Sequence, residues 1–237
     1  MAQQVDFRIF EEPIAGESYV GGGDPAQGLI HGDDSVWQFL KVSSGEQVGE
    51  IQGKIDPVAF AEIGASFGKW YGNALLGIEN NQDGGANRKL FDLGYPHVYF
   101  EMRDRGRPYD EATPRLGLNM NARLRARLIA QSRRLLKDGS LSINSIRLVG
   151  QMEAFHLNGL KYEAIGGAHD DLVMAWLIAS HLMWHQMEVE EMKATGLAPL
   201  VDGEELPGEE TFVQKVVKRV QERNFRPTIL SSVGDLV

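Results

Sequence analysis

Residues 166–180 read GGAHDDLVMAWLIAS. A glycine pair leads to His169, then to adjacent carboxylates at Asp170 and Asp171, then to an unbroken apolar run from Leu172 to Ala179. Such a run reads as a helix buried on all sides. Asp is a favoured N-cap, and negative charge suits a helix N-terminus, so capping explains one of the two acids. It explains the second less well, because successive helical residues point about 100° apart. The fold turns on what this helix meets.

Working outward, the chain supplies a sheet for it. Ser18–Gly23 (SYVGGG), Ser35–Val42 and Gln47–Lys54 read as strands separated by turns at DPAQG and at residues 43–46. Asp56-Pro57 opens a helix with Val58, Phe60, Ile63, Phe67 and Trp70 at helical spacing. Ala74–Asn80 (ALLGIEN) is apolar throughout, as in a central buried strand. Further on, GGANRKLFDLG predicts a short helix, HVYFE a strand, and residues 103–119 an exposed loop or hairpin. Asn121–Lys137 predicts a strong helix, SLSIN (140–144) a small strand, residues 145–157 a helix, and LKYEAIGG an extended feed into the quoted segment, whose helix runs on through Met192. Strands first, then strand and helix in alternation, imply an α/β fold with a mixed sheet. The stretch 194–210 reads as an acidic linker, and 211–237 as an amphipathic helix with a tail.

The acids fall at the ends of these elements. Asp24 follows the first strand, Glu79 ends the apolar strand, and Asp170 and Asp171 open the buried helix. If the first and fourth strands are parallel neighbours, Asp24 and Glu79 come side by side, and a helix across that edge adds the third acid. Converged carboxylates repel unless a cation neutralises them. Hard oxygen ligands suit Mg²⁺ or Mn²⁺, and two such ions can activate a water and stabilise the leaving oxygen of a phosphodiester. Asp171 is the expected main ligand, with Asp170 capping or holding the second ion. His169 is read as structural, and Trp176, Met183 and Trp184 as core. A turn at Asp24 and a solvated strand end at Glu79 are the competing readings.

Composition sets limits. The chain has 237 residues, 43% hydrophobic and 24% charged, with no cysteine, which excludes disulfides, thiolate zinc sites and thiol catalysis. The N-terminus lacks a signal-peptide pattern and the longest apolar run is too short to span a bilayer, so the expectation is a soluble intracellular protein with no membrane partner. A net charge of −9 argues against nucleic acid, but residues 101–137 hold ten Lys and Arg against four Asp and Glu, a local +6 on a body that carries −15. Screening lengths of about 8 Å let a basic face act on an acidic protein.

At the acidic motifs, VGGGDPAQG, LLGIENNQDGG and GGAHDDLVMAWLIA, the sequence resembles the nuclease domain of the large terminase subunit of tailed bacteriophages. The resemblance spans roughly residues 19–185. It implies an RNase H-like three-layer fold, close to RuvC-type Holliday-junction resolvases, with a central mixed sheet flanked by helices over residues 1–193. It further implies a metal-dependent endonuclease, with catalytic Asp24, Glu79 and Asp171 and metal ligands Asp24, Glu79, Asp170 and Asp171 for two Mg²⁺ or Mn²⁺ ions. The implied task is cutting concatemeric viral double-stranded DNA during genome packaging, with little sequence specificity, in the host cytoplasm. The implied partners are an N-terminal ATPase motor, the small terminase subunit and the portal. No GxxxxGK[ST] phosphate loop occurs in these residues, so no motor activity is expected of them.

Arg103, Arg105 and Arg107 on the loop, and Arg123, Arg127 and Arg134 on the following helix, are the expected phosphate contacts, with Tyr109 beside the first three. A solvated helix face is the alternative for the last three. Three rival functions fit parts of the pattern: a junction resolvase, an actin- or sugar-kinase-type nucleotide binder using GGGDPAQG, and a non-catalytic DNA-binding module.

Overall fold

The glycine-rich strand is the pivot on which the layers meet. In the computed structural model, which describes residues 5–29, 31–80, 84–103, 113–158, 161–164 and 169–194, it is the second of five strands in one sheet. These are β1 (Val5–Ile9), β2 (Tyr19–Asp24), β3 (Ser35–Lys41), β4 (Gln47–Gly53) and β5 (Leu75–Ile78), in the order β1-β4-β3-β2-β5. All neighbours are antiparallel except β2 and β5, whose parallel register runs from Val20 opposite Leu75 to Gly23 opposite Ile78. The crossover that parallel pairing requires is α1 (Pro57–Trp70). Its N-cap, Asp56, accepts bonds from the Val58 and Ala59 amides at 3.0 and 3.1 Å.

Helices cover both faces. α1 and α2 (Gly85–Asp92) close one core around Trp37, Phe39, Phe60 and Tyr71, where Trp37 stacks on Phe60 at 4.7 Å and its indole N–H donates to the Phe60 carbonyl. On the other side α3 (Ala122–Lys137), α4 (Ile146–Ala154) and α5 (Asp171–Ala194) enclose Val20, Val36, Leu40, Leu128, Trp176 and Ile178. Alternation along β2 sends Gly21 and Gly23 toward the first core and Gly22 toward α5. A Cβ on Gly22 would collide with the Ala179 amide nitrogen and the Ala175 carbonyl oxygen, and one on Gly77 of β5 would lie 3.0 Å from Leu182. This glycine pair lets α5 ride directly on the sheet.

Four sequence expectations need correction. β1, on the sheet edge, was not foreseen. Residues 140–144 form no strand; Ser142 makes a single bridge to Glu46, and the Asn144 and Ser145 amides go to the Gln47 side-chain oxygen, both at 2.8 Å, rather than into a backbone ladder. The helix expected to reach residue 157 stops at Ala154, because β8 (Phe155–Asn158) turns to pair with β9 (Lys161–Ala164). HVYFE is strand only in part: β6 (Phe100–Arg103) forms a hairpin with β7 (Thr113–Leu116), while His97–Tyr99 bonds to Leu76 of β5. The chain divides into units Met1–Glu188 and Val189–Val237. The expected linker and C-terminal helix lie, beyond Ala194, outside the described residues.

Candidate metal centre

Asp24 ends β2, and Glu79 is the residue after β5. The Glu79 amide donates to the Gly23 carbonyl at 2.9 Å, which extends the parallel register and sets the two acids side by side. Asp24 has the parity of Gly22, so its side chain leaves the sheet on the α5 side. There it hydrogen-bonds Glu79 and feels the charges of Asp171 and Asp170. The first turn of α5 is fixed from outside the helix: the Leu172 amide donates to the Gln151 side chain of α4 at 2.9 Å, and Asp171 Oδ2 accepts the Asp34 amide at 3.1 Å. Asp171 is buried, at 6% exposure.

Crowding of like charges in a dry place sets the electrostatics. Burial, then Glu79 and Asp171, push the Asp24 carboxyl well above the usual carboxylate range. Glu79 is also raised by burial, although the hydrogen bond from Asp24 and the Arg125 guanidinium pull it down. Burial raises Asp171 to about 6, against the bond from Asp34 and the attraction of His169. Carboxylate oxygens at the ends of β2 and β5 and at the head of α5 suit Mg²⁺ or Mn²⁺.

A second group adjoins the first. Ligand atoms of Asp33, His169 and Asp171 lie within 4.8 Å of one another. His169 Nδ1 is 3.6 Å from Asp33 Oδ1 and 3.8 Å from Asp171 Oδ2. Asp171 belongs to both groups. His169, read from sequence as structural, is exposed and faces two carboxylates. Asp33, in the turn before β3, was not singled out by sequence. Neither was Arg125, whose Nη1 lies 3.7 Å from Asp170 Oδ2.

The expected DNA contacts are dispersed. Arg123, Arg127 and Arg134 are exposed on α3, and the Arg134 guanidinium sits 4.9 Å above the Trp184 ring. Arg103 lies on β6; Arg105, Arg107 and Tyr109 fall outside the described residues. Trp176 and Met183 are buried in the core, with half-buried Trp184 packed against it.

The sequence matches no family model and no curated protein. Solved structures do match. The crystal structure of the large terminase nuclease from thermophilic phage G20c superposes with a TM-score of 0.59 at 16% identity, covering 74% of this chain and 87% of that one. The fold is that of the large terminase nucleases. The Thermus phage P74-26 large terminase nuclease domain agrees, with a TM-score of 0.57, 16% identity, and 73% and 83% coverage. The terminase-nuclease architecture is RNase H-like, and the mixed five-stranded sheet between helical layers reproduces it. The G20c terminase nuclease was also solved with magnesium bound, matching at a TM-score of 0.59 with 16% identity and covering 74% and 86% of the two chains.

Proposed function

We propose that this chain is a divalent-metal-dependent endonuclease for double-stranded DNA, acting on concatemeric viral DNA during genome packaging. One observation carries the reading: Asp24 and Glu79, at the ends of β2 and β5, are hydrogen-bonded neighbours, and Asp24 also feels the charges of Asp171 and Asp170 at the head of α5, which makes one acidic site. In it, Asp24, Glu79, Asp170 and Asp171 hold Mg²⁺ or Mn²⁺, and Asp33 and His169 add ligands on the exposed side. Two bound ions supply an activated water and stabilise the leaving oxygen of a phosphodiester. The protein keeps the carboxylates in register through the sheet and fixes Asp171 through the Asp34 amide. The exposed arginines of α3 hold backbone phosphates without reading bases, which suits a cut of little sequence preference. The likeness in fold to the large terminase nucleases of two thermophilic phages supports the packaging role, and with it a motor, a small subunit and a portal as partners in the host cytoplasm.

The test is nicking of supercoiled plasmid by the 237-residue chain with Mn²⁺. Wild type converts the plasmid to open and linear forms, and Asp24→Ala lowers the rate by at least about a thousandfold. Wild-type protein that leaves the plasmid intact overturns the reading.

A further inference from the structure

β1 ends the sheet, and among the described residues no strand pairs with its outer edge. The Phe10 amide donates to the Val48 carbonyl at 2.9 Å, in the register that sets Ile9 opposite Gly49. Backbone groups alternate along an antiparallel ladder. Those of Asp6 and Arg8 therefore turn to β4, while the amides and carbonyls of Val5, Phe7 and Ile9 turn outward. The side chains of these three share the α1 face. Phe7 stacks on Phe67 at 5.5 Å, and Phe67 meets Trp70 edge-on at 5.9 Å. Phe7, Ile9 and Trp70 nevertheless stay 47%, 40% and 44% exposed. An apolar patch beside an open edge is the arrangement that takes up another strand.

The order of residues selects which strand. Val5-Asp6-Phe7-Arg8-Ile9 complements itself when reversed. In an antiparallel pair centred on Phe7, that residue faces its own copy, Val5 faces Ile9, and Asp6 faces Arg8. The phase is also right, because Phe7 presents its amide and carbonyl outward, as a hydrogen-bonded pair requires. Moving the centre to Asp6 or to Arg8 sets like charges face to face and brings groups already bonded to β4 to the junction. Asp6 and Arg8 lie 3.2 Å apart on the other face, with side chains 45% and 40% exposed, and Asp6 also holds Arg147 of α4 at 2.7 Å. Across a two-fold axis neither has to leave these partners, and the four charges alternate in sign.

We propose that β1 is the interface of a symmetric homodimer, in which the edges of two copies of this chain pair antiparallel about Phe7. The two sheets then run on as one, with apolar contacts on the α1 face and ion pairs on the other, each made twice.

The experiment measures mass by sedimentation for the full chain as wild type, Phe7→Lys, Phe7→Glu and an equimolar mixture of the two variants, with circular dichroism to check that each is folded. One strand pair makes a small contact, so wild type should pass from monomer to dimer between about 1 and 200 μM. Position 7 meets itself on the axis, so each variant alone opposes like charges and should weaken the dimer at least about tenfold. The mixture sets Lys opposite Glu and should recover dimer that neither variant forms alone. In wild type, hydrogen exchange at the Phe7 and Ile9 amides should slow as concentration rises, a readout that needs no variant. A wild type that stays monomeric overturns the proposal; slow exchange at those amides in such a monomer would assign the edge to cover from within its own chain. A dimer undiminished in both variants also overturns it, as does a mixture no more dimeric than its components. None of these outcomes depends on nuclease activity.

Discussion

Two carboxylates, one fully buried and one half-buried, stand on the same sheet and are treated in opposite ways. Glu50 of β4 is fully buried, yet each of its oxygens has a partner. Oε1 accepts from Arg147 Nη2 at 2.6 Å and Nε at 3.1 Å, and Oε2 from Gln38 Nε2 at 2.9 Å. Arg147 also reaches Asp6 of β1 at 2.7 Å. That cluster ties β1, β3, β4 and α4 together and is complete without help. Asp24, three strands along from β1 in the sheet order, has other acids as its neighbours. The contrast separates a structural charge, which the fold satisfies, from one that the fold leaves for a ligand to satisfy.

The contrast can be broken most forcefully at Arg147. Arg147→Ala strands Glu50 in the core and should cost about 4 kcal/mol of stability in urea unfolding, while the Mn²⁺-induced rise in Tm persists. A loss below about 1 kcal/mol would mean that the Glu50 cluster is not the self-sufficient partner of this comparison. Gly22→Ala comes next. Its methyl group meets the α5 backbone, so α5 must shift; about 3 kcal/mol should be lost, and Mn²⁺ binding with it. Retained Mn²⁺ affinity would show that the seating of α5 does not set the position of Asp171.

The smallest effect has the opposite sign. Asp24→Asn removes one of several crowded charges, so the metal-free protein should gain about 1 kcal/mol, and added Mn²⁺ should no longer raise its Tm. Destabilisation in the absence of metal would place Asp24 with Glu50, as a structural acid.

Much of this was readable beforehand where a residue's chemistry and its place in an element agreed. Asp56-Pro57 marked α1, the GGG of β2 and the apolar ALLGI marked the central pair, and the acids at their ends followed from parallel pairing. Asp33 was hidden because an acid in a turn before a strand looks like any turn residue; only the fold brings it to His169. Arg125 was masked by the spacing of Arg123 and Arg127, which marks the solvent face and skips the position between them. β1 was missed because Val5–Ile9 is an edge strand whose Phe7 and Ile9 stay exposed, so it lacks a core pattern. The β8–β9 hairpin did leave a signal in the sequence, an Asn-Gly pair that begins at the last residue of β8, and the helical reading of residues 145–157 overran the start of that strand.

The pocket also depends on completion of the whole domain. Its acids come from the end of β2, the residue after β5 and the head of α5, and α5 seats on the sheet over the glycine pair Gly22 and Gly77. A chain still emerging from the ribosome, or one clipped before residue 171, carries some of these side chains but cannot assemble them. On the proposed function, cation capture would be a late event in maturation, and a divalent ion that recognises only the finished arrangement would act as a lock on it.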